Sequence, residues 1–172
     1  MRNFSTAMFV ALGFGSLAWT GPFAPAAGQP GSTAIANTSG SFVEWADGYQ
    51  NLIRGPLDIA HPSAGQASFG DPTSALGEAD GSTTHAVSLG DGGQITLSFA
   101  RPITDGPGPD LAVLENSFSD TFLELAFVEV STNGVDFVRF PSESLTQTTT
   151  QVGTSGLLDR TLHASGRSVG VC

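Results

Sequence analysis

Carboxylates far outnumber cations in this 172-residue chain, with 16 Asp and Glu against 6 Arg and no Lys. The spacing that most suggests a hard-cation site is Asp105-Gly-Pro-Gly-Pro-Asp110 followed by Glu115. Ca²⁺ takes roughly six to eight oxygen ligands, mostly carboxylates and backbone carbonyls. A Gly-Pro backbone supplies carbonyls that no strand partner claims, because proline cannot donate to a ladder. Asp105, Asp110 and Glu115 are therefore the candidate metal ligands, with Ca²⁺ as the candidate ion. Their spacing is not that of an EF-hand loop. The competing reading is that Asp and Gly occupy turns because they tolerate unusual φ angles and hydrogen-bond their own backbone. Glu115 shares a strand face with Leu111 and Val113, so its burial would require a partner such as Arg101, Arg139 or a metal.

A second constellation is aromatic. Trp45 and Tyr49 form a candidate ligand platform, with Asp91 in the acidic turn Gly90-Asp91-Gly92-Gly93 as a polar contact. Against it, aromatics near an N-terminal strand commonly close the end of a β core. Hydrolytic chemistry on a sugar needs two carboxyls about 5 to 10 Å apart. Glu124 and Glu129 lie five residues apart on one expected strand, which puts them on opposite faces. Only Glu115 with one of them remains as such a pair. The sequence holds no nucleophile elbow, HExxH or phosphate loop. His61, His85 and His163 each lack a second His or Cys at metal-ligand spacing, and His61, held extended by Pro62, reads as solvent-facing or capping. A net charge of −10 opposes nucleic acid and anionic lipid.

The elements that must position these groups read as β-strands. With 22 Gly, 10 Pro and few helix-compatible windows, the composition predicts an all-β domain rich in turns. Residues 1–26 read as a signal peptide: Arg2, a short apolar core from Ala7 to Trp19, and small residues at Ala24 and Ala26, with cleavage after Ala26 or Ala27. The apolar core is too short to span a bilayer of about 30 Å. Residues 27–41 read as a disordered linker and 42–172 as one β-sandwich domain. Within it, Phe42 to Ile53 is a strand region and Arg54 to Asp80 a long loop. Val87–Leu89, Leu111–Glu115 and Phe122–Val130 are further strands, the last apolar on both faces. Gln94 to Phe99 alternates with Ile95, Leu97 and Phe99 inward. Asn133-Gly134 predicts a two-residue type I′ hairpin pairing Val130 with Phe137 and Phe127 with Phe140. Ser142 to Gly156 is a loop or edge strand.

Several runs occur in an ordered series: RGPLDIAHPSAGQASFG from Arg54, ALGEADG, VSLGDGGQITLSFARPITDGPGPDLAVLENSF, FLELAFVEVSTNGVDFVRFP and SLTQTTTQVGTSGLLD. Over Arg54 to Asp159 the chain resembles a family of uncharacterised bacterial secreted and cell-surface proteins. That resemblance implies an antiparallel jelly-roll sandwich similar to the discoidin or galactose-binding-like fold, used as a non-catalytic binding or adhesion module. It implies carbohydrate or another surface partner, with a jelly-roll hydrolase or a purely structural surface protein as the alternatives. After Asp159 the chain departs from the family's pattern, which continues with a further strand. A frame break near Arg160 is the expectation, and it would also account for Cys172, the only cysteine. Such a product would expose a sheet edge.

Overall fold

A computed structural model describes residues 21–115, 123–146, 159–165 and 170–171. The apolar segment expected to direct export, Asp120 and most of the Ser/Thr-rich run after Thr146 lie outside the described residues. Within them the chain is mostly β and irregular structure. Its regular helical pieces are three short 3₁₀ turns, at Pro62–Ala64, Pro72–Ala75 and Arg160–Leu162.

The longest ladder joins β1 (Gly48–Ile53) to β2 (Gln94–Ser98), antiparallel, with Tyr49 opposite Leu97 and Gln50 opposite Thr96. Past Gln50 the register shifts, so that Ile53 meets Gln94. The shift coincides with Asn51 at φ 54°, the left-handed conformation that Asn tolerates better than most residues and that a bulge requires. Within the strand region expected from Phe42 to Ile53, the strand itself begins at Gly48. In β2 Ile95 is half-buried and Gln94 exposed, as the alternation predicts, but Leu97 reaches the surface.

The remaining strands are short. They are β3 (Ala112–Val113), β4 (Glu129–Val130), β5 (Val138–Arg139), β6 (Ser142–Ser144), β7 (His163–Ser165) and β8 (Gly170–Val171). Pairs β4–β5 and β6–β7 are antiparallel, whereas β3 and β8 run parallel. Every sheet has two strands and none is closed. Among the described residues only Ala46, Ala67 and Thr161 are buried. No large apolar side chain is buried among the described residues, and they do not by themselves make a two-layer sandwich.

Three expected strands are shorter than their apolar patterns. Val87–Leu89 is not paired as a strand; its backbone bonds run to Gly55 and Phe69. The strand expected at Leu111–Glu115 is confined to Ala112 and Val113. In the described part of Phe122–Val130, residues 123–130, Glu129 and Val130 form the strand and Val128 O accepts from Phe140 N (3.0 Å), while Leu125 and Phe127 are exposed by 55% and 65%, so this part is not a central strand apolar on both faces.

The β6–β7 ladder holds a histidine poised for titration. His163 Nε2 lies 3.0 Å from the Thr146 hydroxyl, and its Nδ1 is buried without a hydrogen-bond partner among the described residues. Burial lowers the His163 pKa below the ordinary 6.5, opposed by the charge of Asp159. A depressed folded pKa means that the unfolded chain takes up the proton first. The stability contributed by neutral His163 is therefore complete above pH 6.5 and is lost as pH falls through the folded pKa. We expect the His163 ring to titrate below 6.5 by NMR, with weakening of β6–β7 over the same interval. A midpoint at or above 6.5 would contradict this assignment.

Candidate functional site

The residues of the RGP, SFG and SLGDG runs converge on one knot of backbone beside the end of β1. Arg54 is its centre. Its Nη1 donates to the carbonyls of Phe69 (2.7 Å) and Ser88 (2.6 Å), and its Nη2 to that of Gly70 (2.6 Å). The bonds are spread over two guanidinium nitrogens, a reach that the single nitrogen of a lysine does not offer. Around the guanidinium, Gly55 N donates to Leu89 O (2.8 Å), Ala67 N to Gly55 O (2.9 Å), Ser88 N to Phe69 O (3.1 Å) and Asp91 N to Pro56 O (2.9 Å). The segment from Arg54 to Gly70 is thereby an Ω-shaped loop whose two ends are tied by one side chain. Ala67, 2% exposed, plugs its middle.

Two glycines are dictated by this packing. A Cβ on Gly55 would land on the carbonyl of Asp91, and one on Gly70 on the carbonyl of Ala86; Gly70 is also at φ 79°. Backbone approaches backbone here too closely for any side chain.

The acidic loops show how their charge is used. Asp58 accepts from Ala60 N (2.8 Å) and pairs with His61 Nδ1 (2.8 Å). Asp71 accepts from both Thr73 N and Thr73 Oγ1, and Asp159 repeats that arrangement on Thr161. Asp80 accepts from Ser82 N (2.8 Å) and lies 2.5 Å from His85 Nδ1. Each caps a turn or the start of a 3₁₀ helix, satisfying N–H groups that the turn leaves open. The carboxyl pKa values move accordingly: Asp58 is lowered chiefly by His61, Asp71 by the Thr73 hydroxyl and Asp80 by the Ser82 N–H. Glu44 is lowered by Arg101, which binds it through Nε (2.6 Å) and its own backbone N–H (3.0 Å).

The expected ligand residues are placed as follows. Trp45 is half-buried against Phe42, ring centroids 4.8 Å apart. Tyr49 projects from the start of β1 and is 43% exposed. Asp91 sits in the turn closed by Gly93 N to Gly90 O (3.1 Å), and its Oδ2 accepts from Ile59 N (2.9 Å), tethering the Ω-loop. Tyr49 lies opposite Leu97, towards the Ser98 end of the ladder, whereas Asp91 sits in the turn that precedes its Gln94 end. Of the expected metal ligands, Asp105 and Asp110 are exposed and Glu115 is half-buried beyond β3. Asp110 Oδ1 accepts from Gly106 N (2.9 Å), closing the Gly-Pro loop on itself. Among the described residues, no three His, Cys, Asp or Glu side chains converge as a metal-ligand group. Arg101 and Arg139, the cations considered for Glu115, form ion pairs with Glu44 and Glu129.

The Asn133-Gly134 hairpin is present in a different register. Val130 faces Val138 and Glu129 faces Arg139, one residue along from the expected pairing. Gly134 has φ 71°, but Asn133 is not in the left-handed region, so the turn is not type I′. Instead the Asn133 Oδ1 accepts from Val135 N (2.9 Å) and Asp136 N (2.8 Å), and Ser131 Oγ from Asn133 N and Gly134 N. These side-chain turns widen the loop to span Ser131 to Phe137. The new register sets Arg139 Nε on Glu129 Oε1 (2.8 Å) and its guanidinium carbon 4.1 Å from the Phe127 ring centroid. Sequence reasoning missed both this cluster and the Arg54 clamp.

Comparison with protein-family models, curated proteins and solved structures finds no match to this chain. No helix among the described residues is long and apolar enough to cross a membrane.

Proposed function

We propose that this chain is an exported, non-catalytic β module that binds carbohydrate or another surface partner, its strands contributing to a jelly-roll sandwich like that of the discoidin-like domains. The observation that carries this reading is the division of labour among its side chains. Carboxylates at Glu44, Asp58, Asp71, Asp80, Asp110, Glu129 and Asp159 serve turn caps or ion pairs. Meanwhile aromatic side chains stand out from short strands and their loops, with Tyr49 43%, Phe127 65% and Phe137 41% exposed. Aromatic faces with polar neighbours suit recognition of an amphipathic ligand.

The test is affinity electrophoresis of the exported protein in native gels containing galactan, glucomannan or arabinoxylan, with a reducing-sugar assay on the same samples. Retardation by at least one neutral polysaccharide without release of reducing ends is the expected result. Migration unaffected by every polysaccharide, or steady release of reducing ends, would overturn the reading. N-terminal sequencing of the same sample should begin at Ala27 or Gly28.

A further inference from the structure

We infer that the exposed cluster Phe127, Glu129 and Arg139 on the β4–β5 hairpin is a stacking site for a neutral sugar ring, an assignment that rests on the binding role proposed above. Phe127 and Glu129 are two residues apart and so share one face of the chain leading into β4. Arg139 lies directly across the ladder from Glu129. The backbone register therefore fixes all three side chains to one side of the hairpin.

The chemistry of the cluster matches the two aspects of a pyranose. Arg139 covers one face of the Phe127 ring at 4.1 Å, yet Phe127 remains 65% exposed, which leaves apolar ring surface open to solvent. A sugar presents a face of C–H groups to such a ring and a rim of hydroxyls to its edge. Glu129 receives Arg139 through Nε at 2.8 Å, so the other guanidinium N–H groups and the second carboxylate oxygen are not used in that bond. Together they offer donors beside an acceptor, the arrangement that a pair of neighbouring hydroxyls can satisfy at both ends. The ion pair and the cation–π contact hold the long Arg139 side chain in place before any ligand arrives, which reduces the ordering cost on binding.

Charge selects the class of sugar. The Arg139 cation is compensated locally by Glu129, and the whole chain carries −10. An anionic glycan would meet a neutral contact within a repulsive field, whereas a neutral one is indifferent to it. The hairpin pair alone, without a ligand, would account for the ion pair as a surface stabiliser worth little. It would not predict any effect of Phe127 on ligand retention.

The same native gels decide the matter. Galactan, glucomannan and arabinoxylan are the neutral probes and polygalacturonate is the anionic comparator. With a retained neutral polysaccharide, Phe127→Ala should raise the apparent Kd about tenfold, the size of one lost aromatic stacking contact. Phe127→Trp should keep or tighten binding, and Arg139→Ala should weaken it. Val135→Thr, on the same loop, is the control for general damage to the hairpin. Retention unchanged in both Phe127→Ala and Arg139→Ala overturns the site while leaving the binding role intact. No retention of the unmodified chain overturns both. Preference for polygalacturonate overturns the neutral-sugar assignment.

Discussion

Replacing Arg54 with alanine is expected to destabilise the protein by about 3 kcal/mol, lowering Tm by roughly 10 °C. The number follows from three charge-assisted bonds to the carbonyls of Phe69, Gly70 and Ser88. Each such bond contributes about 1.5 to 3 kcal/mol net when well shielded. Arg54 is only half-buried and its bonds share one side chain, so the lower part of the range applies and the three do not add fully. Arg54→Lys separates charge from geometry. Lysine keeps the cation but cannot spread two nitrogens over three carbonyls, so about half of the loss should remain. Urea denaturation of the three proteins checks this. A Lys variant as stable as the parent would mean that charge alone, and not the fork, holds the loop.

The second large effect is expected at Gly70. Gly70→Ala combines the left-handed penalty of about 1 to 2 kcal/mol at φ 79° with the collision of its Cβ on the Ala86 carbonyl. Overpacking against backbone costs a further 1 to 3 kcal/mol or so, for a total of about 3 kcal/mol. Two other glycines isolate the parts. Gly92→Ala, at φ 71° with nothing within 4 Å, should cost only the conformational penalty, about 1 kcal/mol. Gly55→Ala has no left-handed φ and meets the Asp91 carbonyl, so it reports the collision alone. Equal losses in Gly70→Ala and Gly92→Ala, measured by denaturant midpoints, would show that the packing around Arg54 is loose.

What could be read in the sequence was local. Turns at Gly90–Gly93 and around Asn133-Gly134 were legible because Gly and Asn announce them within a few residues. The hairpin register was not, since it depended on whether Asn133 would adopt a left-handed φ or use its side chain to cap Val135 and Asp136; the second won. Strand lengths were overread for the same kind of reason. Apolar pattern from Phe122 to Val130 says which residues suit a strand, but among its described residues cross-strand bonding is confined to Val128–Val130, and Phe127 stayed outside.

The acidic residues illustrate the limit at the site. Clustered Asp in Gly-rich loops is compatible both with a cation and with turn capping, and at Asp58, Asp71, Asp80, Asp110 and Asp159 the carboxylate accepts a neighbouring N–H. Arg54 carried no local signal because its partners are 15, 16 and 34 residues away. The available hint was indirect. A single cation in a long Gly- and Pro-rich stretch is surrounded by carbonyls without ladder partners, and a guanidinium is the side chain best able to collect them.

Site-resolved hydrogen exchange on the full chain addresses the Arg54 knot most directly. The amides of Gly55, Ala67, Ser88 and Asp91 each donate to a carbonyl within it. They should be protected together in the parent protein and lose protection together in Arg54→Ala. Exchange of those four amides at the rate of open loop, or protection indifferent to Arg54, would contradict the arrangement on which the rest is built.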